Sequence, residues 1–167
     1  VACIDLFEIF GQQEEVLYFA HDSHWNSKGA ALGADSINAA FGVQSDYFGG
    51  DFSQKVPHEG DLYDMLYPSL TDPEQDALYG GDLAFTYTSK ATKPDSITLE
   101  TSSDSQGSLL CYRDSFGNLL YTYLADSYTE GFEVPIEMFA EEKTAMATVM
   151  FDHVETYFED LANITYG

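Results

Sequence analysis

Apolar residues along the chain fall into two spacings. Short continuous runs at residues 1–7, 16–20 and 108–112 read as buried strands, and residues 145–151 form another apolar run. Between them, Ala30, Ala31, Ala34, Ile37 and Ala40 recur at helical spacing behind a capping residue, Asn26 or Ser27, with Gly42 at the stop. The small residues on that helix face imply close packing against a sheet. Leu119, Leu120, Tyr123 and Leu124 mark a second amphipathic helix, residues 61–67 a short one ended by Pro68, and residues 154–164 a closing one. Residues 83–88 and 96–101 alternate as an antiparallel pair would. Residues 43–59 read as a long loop, and the Thr71-Asp-Pro-Glu stretch as a turn or helix start. A strand is expected over residues 132–139, away from the sheet centre because Pro135 cannot donate to a ladder. Strand and helix alternate at both ends, so the pattern predicts one α/β domain over residues 1–167 with an irregular insertion at about 43–107.

Composition narrows what such a domain does. Hydrophobic residues make up 44% of the chain and aromatics 15%, enough for a sizeable core. Twenty-nine acidic residues face six basic ones, a formal charge of −23, which repels nucleic acid and anionic membranes. The sole arginine, Arg113, directly precedes Asp114-Ser115; it serves either the site or a neighbouring structural carboxylate. Cys3 and Cys111 lie in apolar runs and read as buried thiols in preference to a disulfide. No transmembrane run, signal peptide or lipidation motif stands out. The chain starts without methionine, inside an apolar run, and reads as a piece of a longer protein, so the missing signal says nothing about secretion.

Two short blocks offer chemistry. Asp22 and His24 lie two residues apart in a loop beside Trp25, the only tryptophan. A carboxylate beside an imidazole fixes its tautomer and favours its charged form, as a general base requires. Ser115 follows the clearest strand and precedes a helix whose first N–H groups suit an oxyanion. A serine in that position is also an ordinary helix cap. Were both blocks at the carboxyl ends of strands in one parallel sheet, they would converge as a Ser115–His24–Asp22 triad. His21 reads as a loop residue that shapes the site or faces solvent, while His58 and His153 lack ligand spacing. No metal signature is present in the spacing, and no cofactor is expected. Trp25 reads as a wall over the histidine or a surface for a sugar ring. Tyr47, Phe48, Tyr63, Tyr67 and Tyr79 line a saccharide groove or form a satellite core.

Asp22-Ser-His24-Trp25-Asn26 followed by Gly29-Ala30 resembles the Asp-x-His-Trp block of DHHW-type, SGNH-hydrolase-like proteins. These are similar to the alginate O-acetylation proteins of the bacterial cell envelope. Gly60-Asp61-Leu62, Arg113-Asp114-Ser115-Phe116-Gly117 and the ending at residues 149–155 resemble further blocks of that family. Ser23 stands where the family's name has a second histidine. The resemblance implies a three-layer, flavodoxin-like parallel sheet flanked by helices, with motifs in circularly permuted order. Relatives carry additional upstream chain, so an incomplete domain is expected. It implies a serine-dependent O-acetyltransferase or acetylesterase working through an acyl-serine on an extracellular or cell-envelope polysaccharide. Ser115, His24 and Asp22 would be catalytic, with Arg113, Asn118 and Trp25 in support. The partners implied are a carbohydrate substrate and a membrane-bound acyl donor protein, with no nucleic acid and no membrane insertion. The alternative is a non-catalytic carbohydrate-binding or scaffold module that retains the fold.

Overall fold

The computed structural model describes residues 3–88, 99–105 and 107–135. It is a mixed α/β structure in two compact units. The first takes the chain up to Leu83 together with Phe116–Tyr123; the second takes Ala84–Ser115 and the described residues from Leu124 on.

The first unit is organised on helix α2, Ser27–Ala40. Asn26 caps it by accepting from the N–H of Gly29, and Gly42 leaves it with φ +76°, a conformation glycine adopts without strain. Its Ala30, Ala31 and Ala34 are fully buried. A Cβ at Gly29 would lie 2.3 Å from the Leu17 carbonyl oxygen, so only glycine lets the 16–25 segment lie this close. Helix α1, Leu6–Gly11, packs nearby with Asp5 as its cap. The strand expected over residues 1–7 is therefore a helix from Leu6: the Asp5 side chain takes the N–H groups of Phe7 and Glu8.

Residues 16–20 do not join a sheet either. Leu17 and Phe19 point inward while Val16 and Tyr18 are exposed, and the segment doubles back through a bridge between Tyr18 and Trp25. Phe19 N–H donates to His24 O at 3.2 Å and Asn26 N–H to Leu17 O at 2.9 Å. The 43–59 loop contains strand β1, Gln54–His58, and helix α3, Asp61–Leu66, follows it. Residues 71–73, expected as a turn or helix start, form neither and lead into strand β2, Glu74–Leu78, antiparallel to β1 with His58 opposite Glu74. Pro57 is tolerated because a two-stranded sheet has only edge strands.

The second unit holds a four-stranded mixed sheet of β3 (Phe85–Tyr87), β4 (Leu99–Ser103), β5 (Ser108–Arg113) and β6 (Glu130–Pro135), in the order β3-β4-β6-β5. The expected antiparallel pair is β3 with β4. Only β5 and β6 run parallel among the described residues; the chain passes between them through helix α4, Gly117–Ser127. β6 lies between β4 and β5, not at the margin expected from Pro135, which stands at its last position opposite Arg113. Cys3 is exposed and Cys111 half-buried, where buried thiols were expected. The apolar run at 145–151, the helix at 154–164 and His153 lie outside the described residues. No helix among the described residues is long and apolar enough to cross a membrane.

Candidate active site

The turn from Ala20 to His24 is held almost entirely by carboxylates. Glu74, on β2, accepts the N–H groups of Ala20 and His21, both at 2.8 Å. Asp61, at the start of α3, accepts the Ser23 N–H at 2.8 Å and its hydroxyl at 2.6 Å. Asp22 accepts the His24 N–H at 2.9 Å, an Asx-type turn. In return, the His21 carbonyl accepts the N–H groups of Leu62 and Tyr63, both at 3.1 Å, which finishes the α3 N-terminus. Gly60 makes this docking possible: a Cβ there would stand 2.0 Å from the His21 oxygen. The backbone at Gly60 is extended, so it is space and not conformation that demands glycine.

This scaffold aims Asp22. Its Oδ1 lies 2.6 Å from His24 Nδ1, while its Oδ2 lies 3.0 Å from His58 Nε2 and accepts the Asp61 N–H at 3.2 Å. An ionised carboxylate only accepts, so each facing ring nitrogen carries its proton. In neutral His24 the basic lone pair is thereby assigned to Nε2, the tautomer a general base needs. Burial of Asp22 disfavours its charge. Hydrogen bonds from the His24 and His58 rings, and from the N–H groups of His24 and Asp61, outweigh burial and bring its pKa down to about 2. Asp61 is also held below its usual range, first by the Ser23 hydroxyl, with burial and the Asp22 charge opposing.

Asp22, His24 and Asp61 each offer a ligand atom within 4.8 Å of the others, a set close enough for a cation. Asp22, however, already takes four N–H donors on its two oxygens, which fills its acceptor sites. The arrangement suits proton transfer better than metal binding.

The aromatic surround is built by Trp25 and Phe116. The Trp25 indole N–H donates to Phe116 O at 3.0 Å, and the two rings meet edge to face at 5.2 Å. Phe116 also lies 4.9 Å from the His24 ring. Trp25 is thus a buried wall behind the histidine, in contact with Phe10 as well. Of the aromatics read from the sequence as a groove or satellite core, Tyr47 and Tyr79 pack with Tyr123.

In the second unit, β5 ends at Arg113 and a turn carries Asp114 and Ser115, both exposed, into α4. This is the strand–turn–helix expected around the serine. Arg113 is buried, with Nη1 donating to the Asp114 carbonyl at 3.3 Å. Asn118 lies in the first turn of α4 and is half-buried. Because residues 16–20 are no sheet strand, the parallel-sheet argument for bringing Ser115 and His24 together loses its basis. Within the first unit, Phe116, which follows Ser115 in the chain, packs on His24.

Sequence reasoning missed His58, which was set aside for want of ligand spacing, and the part played by Glu74. The single sequence signal was Gly60-Asp61-Leu62. His21 shapes the site through its backbone; its ring Nδ1 is 3.1 Å from Asp72 O.

No family model matches the chain, and no curated protein sequence does. Solved structures do. A DHHW family protein from Eubacterium siraeum aligns over 80% of this chain and 58% of its own, with 15% identity and a TM-score of 0.51. Bacillus cereus PatB1 carrying a sulfonyl adduct aligns over 80% of this chain and 57% of its own, with 19% identity and a TM-score of 0.55. Another structure of Bacillus cereus PatB1 aligns over 79% of this chain and 59% of its own, with 19% identity and a TM-score of 0.50. The chain thus spans less than two thirds of these proteins, and over that span it has the fold of the DHHW family protein and of PatB1.

Proposed function

We propose that the protein is a serine-dependent O-acyltransferase or esterase of the DHHW and PatB type, acting on a polysaccharide of the cell envelope. The observation that carries this reading is the Asp22–His24 pair. A carboxylate with its pKa brought down to about 2 grips Nδ1 at 2.6 Å and orients Nε2 as the base. Phe116 rests on that imidazole, and Ser115 is the residue before it. The fold shared with PatB1, a structure of which carries a sulfonyl adduct, supports the same chemistry.

In the reaction, Ser115 Oγ attacks the carbonyl carbon of an acyl donor while His24 Nε2 takes the hydroxyl proton. The tetrahedral oxyanion is held by N–H groups at the start of α4. The carbon–oxygen bond to the donor's leaving group breaks, and His24 returns the proton to that group. A sugar hydroxyl, or water, then gives its proton to His24 and attacks the acyl-serine. The new ester or free acid departs as Ser115 regains its proton. Asp22 stabilises the imidazolium in both halves and stays ionised. Arg113 and Asn118 support the serine turn. A membrane-bound protein as acyl donor, an envelope location and a complete three-layer parallel sheet in the whole protein all belong to this proposal.

The test is acetyl release from p-nitrophenyl acetate, with labelling by a sulfonyl fluoride as a second readout. Ser115→Ala should abolish both, and His24→Ala should lower both by about a thousandfold. Full activity in either variant refutes the proposal.

A further inference from the structure

We infer that His58 is a positioning residue of this site: it locks the plane of Asp22 so that Oδ1 serves His24 alone. The inference rests on the reaction proposed above. The two carboxylate oxygens divide their partners. Oδ1 takes only His24, through its backbone and its ring; Oδ2 takes His58 Nε2 at 3.0 Å and the Asp61 N–H at 3.2 Å. A carboxylate on a short side chain turns freely about its last bond unless both oxygens are tied. The Asp61 N–H belongs to the α3 backbone, so His58 is the side chain that fixes the second oxygen.

His58 is itself held from two directions. Its ring stacks on buried Phe19 with centroids 3.8 Å apart and planes 8° from parallel. Its backbone closes β1 opposite Glu74, the residue that holds the Ala20 and His21 N–H groups. One strand pair therefore grips the turn by its backbone and by its carboxylate at the same rung. A ring clamped face-on to a phenyl keeps its N–H in one direction, which is what aiming an oxygen requires.

Stacking and donation are separable by substitution. His58→Phe keeps a ring against Phe19 and removes the donor. His58→Gln removes the ring and keeps an N–H at about the reach of Nε2. The assay is steady-state p-nitrophenyl acetate hydrolysis by the whole chain, with thermal unfolding of each variant. Misplacing a catalytic group by about 1 Å costs on the order of a hundredfold. His58→Phe and His58→Ala should therefore lose about tenfold or more in kcat with KM little changed, while His58→Gln stays within about threefold of wild type. The inference is overturned if His58→Phe keeps kcat, or if His58→Gln falls as far as His58→Ala. If His58→Phe does not fold, the comparison of Gln with Ala decides. Ser115→Ala and His24→Ala run alongside: activity lost in these but kept in His58→Phe overturns the role of His58 alone, whereas activity kept in Ser115→Ala overturns the reaction itself.

Discussion

Replacing Gly60 by alanine tests whether the α3 N-terminus and the His21–His24 turn are one rigid piece. The added Cβ would stand 2.0 Å from the His21 carbonyl oxygen, 2.3 Å from its carbon and 2.8 Å from its Cβ. Two of these atoms are backbone, so no rotamer change relieves the overlap and the turn must move off the helix. That movement breaks or stretches the bonds from Leu62 and Tyr63 to His21 O and from Asp61 to Asp22. At about 1 kcal/mol net for each of the three hydrogen bonds, with residual overpacking of about 1–2 kcal/mol, the loss reaches roughly 4–5 kcal/mol when all three break. Urea unfolding followed by Trp25 fluorescence reads this directly, since the single tryptophan sits in the same unit. Gly11→Ala is the control, because nothing lies within 4 Å of its Cβ position. Catalysis should fall further than stability at moderate urea, as Asp22 is carried with the turn. A Gly60→Ala protein that unfolds with Gly11→Ala and keeps wild-type kcat would refute the reasoning.

Asp22 sets an acid limit. Its folded pKa lies below its unfolded value, so the folded state binds the proton less readily; the stabilisation is complete above about pH 4 and is lost as pH falls towards 2. Unfolding midpoints between pH 5 and 2.5 should show a loss of at most about 2 kcal/mol that Asp22→Asn no longer shows. Asp76, buried on β2, accepts the N–H and hydroxyl of Ser27 at the α2 N-terminus. Asp76→Ala should cost about 1–3 kcal/mol and lower the melting temperature by several degrees, Asp76→Asn less. Glu74→Ala should speed amide exchange at Ala20 and His21 while α2 keeps its protection, read by residue-resolved hydrogen exchange.

Elements with their own caps and spacing were legible in the chain. The 26–42 helix announced itself through Asn26, its alanines and Gly42, and β5 and α4 through a clean apolar run followed by helical spacing. Short elements fixed by tertiary contacts were not. Leu6, Phe7, Ile9 and Phe10 satisfy a strand as well as one helical turn, and a single capping aspartate decides between them. β1 contains Pro57 and β2 is mostly polar, so neither resembles a strand until each has the other as partner. The same split runs through the site. Asp22 and His24 are neighbours in sequence and could be paired on paper. His58 reaches Asp22 across a sequence separation of 36, a contact created by where β1 ends and invisible to local spacing.

Apart from Glu15, which pairs with Lys28, the carboxylates that bind within the first unit are spent mainly on backbone N–H groups, hydroxyls and imidazoles. Glu74, Asp61 and Asp22 fix the Ala20–His24 turn, Asp76 the α2 N-terminus, and Asp35 the loop through Ser45, Tyr47 and Phe48. Mobile ions screen the repulsion among exposed acidic groups over about 10 Å at 0.1 M, but barely touch a contact of 3 Å between a carboxylate and an amide. Dissolved salt therefore relieves the strain of a −23 surface without loosening the framework beneath it, and this protein should grow firmer in brine where one built on surface ion pairs would soften.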